Sequence, residues 1–208
     1  MRLSPSGDLN IDGHPIKAVT FDLWETLLCE SEGASQRRAD ARVRSLTGAL
    51  NDLKVQVSVD EMSLAINRTV SSLLRLWKKN RDMSYIDQVR LIIKNVSRGS
   101  LNLKPEWTRK LGSAYASVIL EAPPYLNPEG RHVLKNLKEL HKVIGLVCNT
   151  GLTPGIGLRK FLVDEGVAEC FDLMLFSEEI GIRKPDLRIF RLAAQRLDVH
   201  PFEIVHVG

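Results

Sequence analysis

At 208 residues, 44% hydrophobic and 26% charged, the chain has the size and apolar content of an ordinary globular protein, one large domain or one domain carrying an insert. No apolar run approaches the roughly 20 residues that cross a bilayer, residues 1–15 lack the apolar centre of a secretory signal, and three widely separated cysteines (Cys29, Cys148, Cys170) argue against a disulfide framework or a structural zinc site, so a reducing cytoplasm is expected. The net charge of +4 comes from scattered basic residues such as Arg37, Arg38, Arg42, Arg44, Lys78 and Lys79, which read as a solvated surface rather than a nucleic-acid tract.

Residues 1–15 form a polar lead-in containing Pro5, Gly7, Gly13 and Pro15. A first strand is predicted over Ile16–Phe21, an apolar, β-branched run that delivers the carboxylate of Asp22 to the point where the strand ends. From Ser31 to Leu120 the periodicity is helical, with helices predicted over 37–53, 58–79, 84–97 and from Pro105 to about Val118. Ser58 followed by Glu61 has the spacing of a capping box, and Pro105 suits a first helical position. Trp77, Trp107 and Tyr115 fall on helical faces and read as packing residues. The proline-rich break at Glu121–Gly130 ends this block.

Beyond the break the pattern alternates: helix 131–141, strand 143–147, helix 158–166, strand 171–176, helix 186–197, strand 204–207. Strand–helix alternation implies a parallel sheet. The predicted fold class is therefore α/β, a Rossmann-like core made of residues 1–30 and 121–208, interrupted by a helical insert over 31–120 that sits as a cap above the ligand-binding edge. The glycine-bearing segment Thr150–Gly157 is a strand-to-helix loop, read either as an ordinary turn or as backbone amides able to hold an anion. The five histidines show no metal-ligand spacing, and His206 reads as structural.

Four anchors occur in order: Phe21-Asp22-Leu23-Trp24-Glu25-Thr26-Leu27, the strand ending Cys148-Asn149-Thr150, the segment Gly181-Ile182-Arg183-Lys184-Pro185-Asp186, and the final strand ending His206-Val207-Gly208. Together they resemble the haloacid dehalogenase superfamily of hydrolases, in the group with a helical cap inserted after the first strand. The resemblance covers residues 16–208. It implies that Asp22 is a nucleophile that forms an aspartyl-phosphate, because a carboxylate at this position attacks phosphorus in the family. It implies Mg²⁺ as cofactor, held by Asp22 and the backbone carbonyl of Trp24, and Lys184 as the cation that neutralises the transferring group. Thr26 is expected to support the loop around the nucleophile. Cys148 and Thr150 are expected to bind the substrate; Asn149 either does so too or caps the next helix. The implied partner is a small phosphorylated metabolite; the resemblance does not fix an oligomeric state.

The sequence departs from the family pattern in three places. Trp24 stands where an aspartate usually protonates the leaving group, a role whose loss costs about 10²–10⁴ in rate; Glu25 is the neighbouring alternative. Cys148 stands where a serine or threonine is usual, and a thiol is a weak donor. The sequence stops at Gly208, where the family continues with an acidic motif, so the metal site as written is expected to lack one ligand. Two rival readings accompany the phosphatase: a metal-free 2-haloacid dehalogenase, for which an aromatic at position 24 is compatible, and a weak or inactive member that serves as a binding module. All of them require Asp22 and Lys184 to meet at one edge of the sheet.

Overall fold

A computed structural model of the chain describes residues 2–3, 9–11, 14–99, 101 and 103–208. The polar lead-in contributes three short strands, β1 (Arg2–Leu3), β2 (Leu9–Ile11) and β3 (His14–Pro15), paired antiparallel in sequence order. Strands of two or three residues are too short to show the alternation by which a sequence reveals them.

The next strand, β4 (Ala18–Phe21), has every side chain buried, as expected of a strand covered on both faces. After a tight loop, β5 (Leu28–Cys29) leads out to α1 (Ala34–Asp52), α2 (Val59–Trp77), α3 (Tyr85–Val96), α4 (Pro105–Ala116) and the single turn α5 (Val118–Glu121). The Ser58–Glu61 capping box forms: the Glu61 amide donates to Ser58 Oγ at 3.2 Å and the Ser58 amide to Glu61 Oε2 at 2.9 Å. The chain returns through β6 (Tyr125–Leu126), which pairs antiparallel with β5, so the outgoing and returning connections are zipped together at Leu28–Leu126 and Cys29–Tyr125.

The remainder alternates as expected: α6 (Pro128–Glu139), β7 (Val143–Cys148), α7 (Gly155–Asp164), β8 (Leu173–Phe176), the short α8 (Ser177–Ile180), α9 (Leu187–Arg196) and β9 (Ile204–Val207). The four core strands form one parallel sheet in the order β8-β7-β4-β9. Of three apolar clusters among the described residues, the smallest joins Val147 and Leu175 to Ile189 and Ala193 of α9, and the two larger ones divide the chain. The first draws its buried members from 16–28 and 119–176, including Val19, Leu23, Leu134, Leu146 and Phe161. The second lies within 46–115, where Leu50, Met62, Ile92 and Leu111 pack around the fully buried Tyr115.

Candidate active site

In the sheet, the first core strand lies between the second and the fourth, so the direction of winding reverses at β4 and β9. Open α/β sheets bind ligands at the carboxyl ends of strands beside such a reversal. Asp22 follows β4 there, and its amide continues the pairing by donating to the Val207 carbonyl at 2.8 Å. Its carboxylate has Oδ2 2.8 Å from Lys184 Nζ, while Oδ1 accepts the Leu23 amide at 2.7 Å. The side chains are only 27% (Asp22) and 12% (Lys184) exposed, so this pair is far less screened than one on an open surface.

Lys184 belongs to the loop before α9, across a cis peptide from Pro185. Asn149, at the end of β7, holds that loop in place. Its Nδ2 donates to the Lys184 carbonyl at 3.1 Å, and its Oδ1 accepts the Lys184 amide at 3.0 Å. Asn149 thus does not cap α7, whose N-cap is Pro154. A primary amide carries one acceptor and one donor face, matching the two main-chain groups of a single residue.

The third contact of Lys184 is His206, whose Nε2 lies 3.3 Å from Nζ. An ammonium can only donate, so Nε2 accepts and the proton resides on Nδ1. Nδ1 is 3.1 Å from Thr20 Oγ1, and that hydroxyl donates onward to the Val205 carbonyl at 3.3 Å. Burial, and then the positive charge of Lys184, hold the imidazole pKa below its usual value. A neutral ring is what the donor–acceptor chain requires. His206, read from sequence as structural, is therefore in contact with the lysine. The available signal was its place at the carboxyl end of a core strand.

The other expected residues are arranged unequally. Cys148 is fully buried in the main cluster, and burial, followed by the negative charge of Asp22, pushes its thiol well up from the ordinary range. It is not presented at the edge. The Thr150 hydroxyl lies 3.3 Å from Ser177 Oγ, and the Thr150 amide donates to the same oxygen at 3.1 Å. Thr26 is half-buried, its carbonyl accepting from Asn127 Nδ2 at 3.4 Å. Glu25 is exposed, with a positive φ of 56°, on the turn that reverses the loop. The anion reading of the Thr150–Gly157 loop meets an internal occupant: the Gly155 amide at the start of α7 donates to the Glu178 carboxylate at 3.0 Å.

For Mg²⁺ the chemistry of the donors decides. Asp22 offers a hard carboxylate oxygen. The Trp24 carbonyl stays out of the local backbone pairing, because the Trp24–Leu28 bridge uses the Leu23 carbonyl and the Glu25 amide. One carboxylate and one carbonyl fit an ion that keeps several waters and takes its remaining oxygens from a phosphate. Among the described residues no cluster of three or more His, Cys, Asp or Glu side chains could form a protein-only cage.

Two features escaped the sequence reading. First, Asp82, between α2 and α3, has a fully buried side chain that pairs with Arg183 Nη1 at 2.6 Å, accepts Trp77 Nε1 at 2.9 Å and also binds Ser177 Oγ. This fixes the helical block to the loop that carries Lys184. Second, the solvated-surface reading fails for Arg38 and Arg42, which are 6% and 5% exposed. Ala34, Arg38, Ala41, Arg42, Leu46, Ala49 and Leu50 form the buried stripe of α1, so the arginines occupy core-facing positions. Charges at stripe positions were the signal.

The fold is that of an α/β protein with a parallel sheet, and a carboxylate and a lysine are paired at the carboxyl edge of that sheet. A family model of haloacid dehalogenase-like hydrolases matches residues 16–208, and the chain belongs to that family. It is 28% identical over 196 residues to glyceraldehyde 3-phosphate phosphatase of Methanopyrus kandleri, covering 93% of this chain and 75% of that protein. The solved 2-haloacid dehalogenase of Pseudomonas syringae pv. Tomato DC3000 shares the fold with a TM-score of 0.63 at 22% identity, covering 93% and 77% of the two chains. A HAD phosphatase from Thermococcus onnurineus gives a TM-score of 0.56 at 25% identity, again over 93% and 77%. No described helix is long and apolar enough to cross a membrane.

Proposed function

We propose that the protein is a phosphatase acting on a small phosphorylated metabolite through an aspartyl-phosphate on Asp22, beneath the helical block of residues 31–120 acting as a cap. The observation that carries this reading is the Asp22–Lys184 contact of 2.8 Å at the reversal point of the sheet. A carboxylate approaching a phosphate dianion is repelled, so a fixed cation beside it lowers the barrier to attack. One oxygen of Asp22 attacks phosphorus, the alcohol departs, and water then hydrolyses the acyl phosphate and regenerates the carboxylate. Lys184 balances the charge on the transferring group, held by Asn149 through its main chain and by neutral His206 at its ammonium. Asp22 and the Trp24 carbonyl would hold Mg²⁺, which when bound would supply further neutralisation of the phosphoryl charge. Trp24 cannot donate a proton to the alcohol, so water must, and alkyl phosphates turn over slowly.

Trp24 favours a second reading, metal-free attack of Asp22 on the carbon of a 2-haloacid, where the leaving halide needs no proton. The test compares p-nitrophenyl phosphate with 2-chloropropionate, each with and without Mg²⁺, for the native chain and Asp22→Asn. Mg²⁺-dependent phosphate release that vanishes in Asp22→Asn supports the phosphatase. Metal-free chloride release replaces it with the dehalogenase, and no turnover of either compound overturns both.

A further inference from the structure

We infer that Arg42 forms a carboxylate-recognition subsite beside the nucleophile loop, so that the substrate is a short phosphomonoester bearing a carboxylate. This rests on the phosphatase reading and adds the second functional group of the substrate. Arg38 and Arg42 project from α1 into a crevice of about 260 Å³ whose opposite wall is Trp24, Thr150 and Leu152; Trp24 follows β4, as Asp22 does, and Thr150 follows the adjacent strand β7. The two arginines are not equivalent. Arg38 is ion-paired with Glu30, donates to the Ala122 carbonyl at 3.1 Å and lies over the Trp24 ring at 5.3 Å. Arg42 donates to the Leu152 carbonyl at 3.0 Å and lies 5.3 Å from the centre of the Tyr115 ring, and its buried Nε has no hydrogen-bond partner. Among the described residues its partners are all neutral. Tyr115 is fully buried, its hydroxyl donating to Gln88 at 2.7 Å, and burial keeps the phenol un-ionised.

The crevice walls thus carry two guanidiniums against one carboxylate, Glu30. A buried cation without a counter-charge is costly, and folds avoid one unless something else supplies the charge. A ligand carboxylate supplies a single negative charge and the planar acceptor geometry that guanidinium matches. A second phosphate would bring more charge than the crevice leaves uncompensated. The volume admits a chain of only a few heavy atoms, which limits the substrate to a short molecule.

The experiment measures kcat and KM for 2-phosphoglycolate and ethyl phosphate, two alkyl esters of similar length of which only the first carries a carboxylate. Their leaving groups are alike, so the missing general acid largely cancels in the ratio. The native chain is expected to prefer 2-phosphoglycolate at least tenfold in kcat/KM, mainly through KM. Arg42→Met should erase that preference, a change of roughly ten- to a hundredfold for one charge-assisted contact. Ala39→Glu, an exposed position on the crevice wall that places a competing carboxylate there without touching the core, should also reduce it. This variant decides the matter if Arg42→Met does not fold.

Equal kcat/KM for the two esters in the native chain overturns the inference, as does a preference unchanged in the folded variants. Hydrolysis of both esters by the native chain, lost in Asp22→Asn, leaves the phosphatase reading standing in that case. If neither ester is hydrolysed, thermal unfolding with added glycolate decides the subsite on its own. A concentration-dependent rise in Tm that is absent in Ala39→Glu supports it, and no rise overturns it.

Discussion

Replacing Asp82 by alanine tests whether the helical block and the Lys184 loop are one mechanical unit. The Asp82 side chain is fully buried and receives Arg183 Nη1 at 2.6 Å, Trp77 Nε1 at 2.9 Å and the Met83 amide at 2.9 Å, in addition to Ser177 Oγ. Removing one member of a buried ion pair costs about 3–5 kcal/mol, mostly because the other charge is left without its partner. Arg183 keeps two favourable neighbours: its Nη1 donates to Ser177 Oγ at 3.4 Å, and its guanidinium lies 4.4 Å from the centre of the Trp77 ring, a contact that retains about 0.5–2 kcal/mol. The expected net loss is therefore about 2–4 kcal/mol, a large share of the roughly 5–15 kcal/mol that holds a domain folded. Urea unfolding measures it. Lys184 is the residue after Arg183, so kcat on p-nitrophenyl phosphate should fall in the same variant, under conditions where the protein remains folded. A double-mutant cycle with Arg183→Met should return a coupling of at least 1.5 kcal/mol, well outside the roughly 0.3–0.5 kcal/mol scatter of independent sites. A cost below about 1 kcal/mol, or coupling within that scatter, refutes the clamp.

Gly157→Ala should lower Tm by several degrees: the added Cβ would stand 2.4 Å from the Ala116 carbonyl, and overpacking of about 1–3 kcal/mol exceeds the usual gain of replacing a helical glycine. A Tm at or above the native value would show that α7 and α4 are not in close backbone contact. Because the folded state disfavours protonated His206, its neutral form contributes stability that is fully present above the unfolded value near 6.5 and is lost as pH falls through the lowered folded value. Urea midpoints between pH 5 and 8 should therefore decline toward acid, and more shallowly in His206→Gln; identical slopes reject the His206–Lys184 contact. Ellman's reagent should label one thiol in the native protein, the half-buried Cys29, and all three in urea, since Cys148 and Cys170 are buried. Rapid native labelling of Cys148 would contradict its place in the core.

The parts of this site that were legible in the sequence share a local cause. A residue directly after a parallel strand lies at the carboxyl edge of the sheet, and right-handed crossovers bring every such edge to the same side. Asp22, Asn149 and His206 could be placed there from strand ends alone, although what each touches could not. The proximity of Lys184 to Asp22 needed the family motif as well, because the lysine lies in a loop after α8. Asn149 was expected to meet substrate or cap a helix; it does not cap α7, and its contact with a main-chain segment 35 residues away was not foreseen. Asp82 and Arg183 stand 101 residues apart, and no periodicity joins them.

The arginines of α1 show a different failure, in which the local signal existed but charge was taken to mean solvent. Arg38 and Arg42 continue a stripe of alanines and leucines that packs against the rest of the fold. Two cations on one buried stripe repel each other and are costly to desolvate, and apolar residues there would stabilise the helix more. Glu30 accounts for keeping one of them. The second is accounted for by a negative charge that arrives with the substrate, which ties the uncompensated cation in the helical block to the nucleophile at the sheet edge.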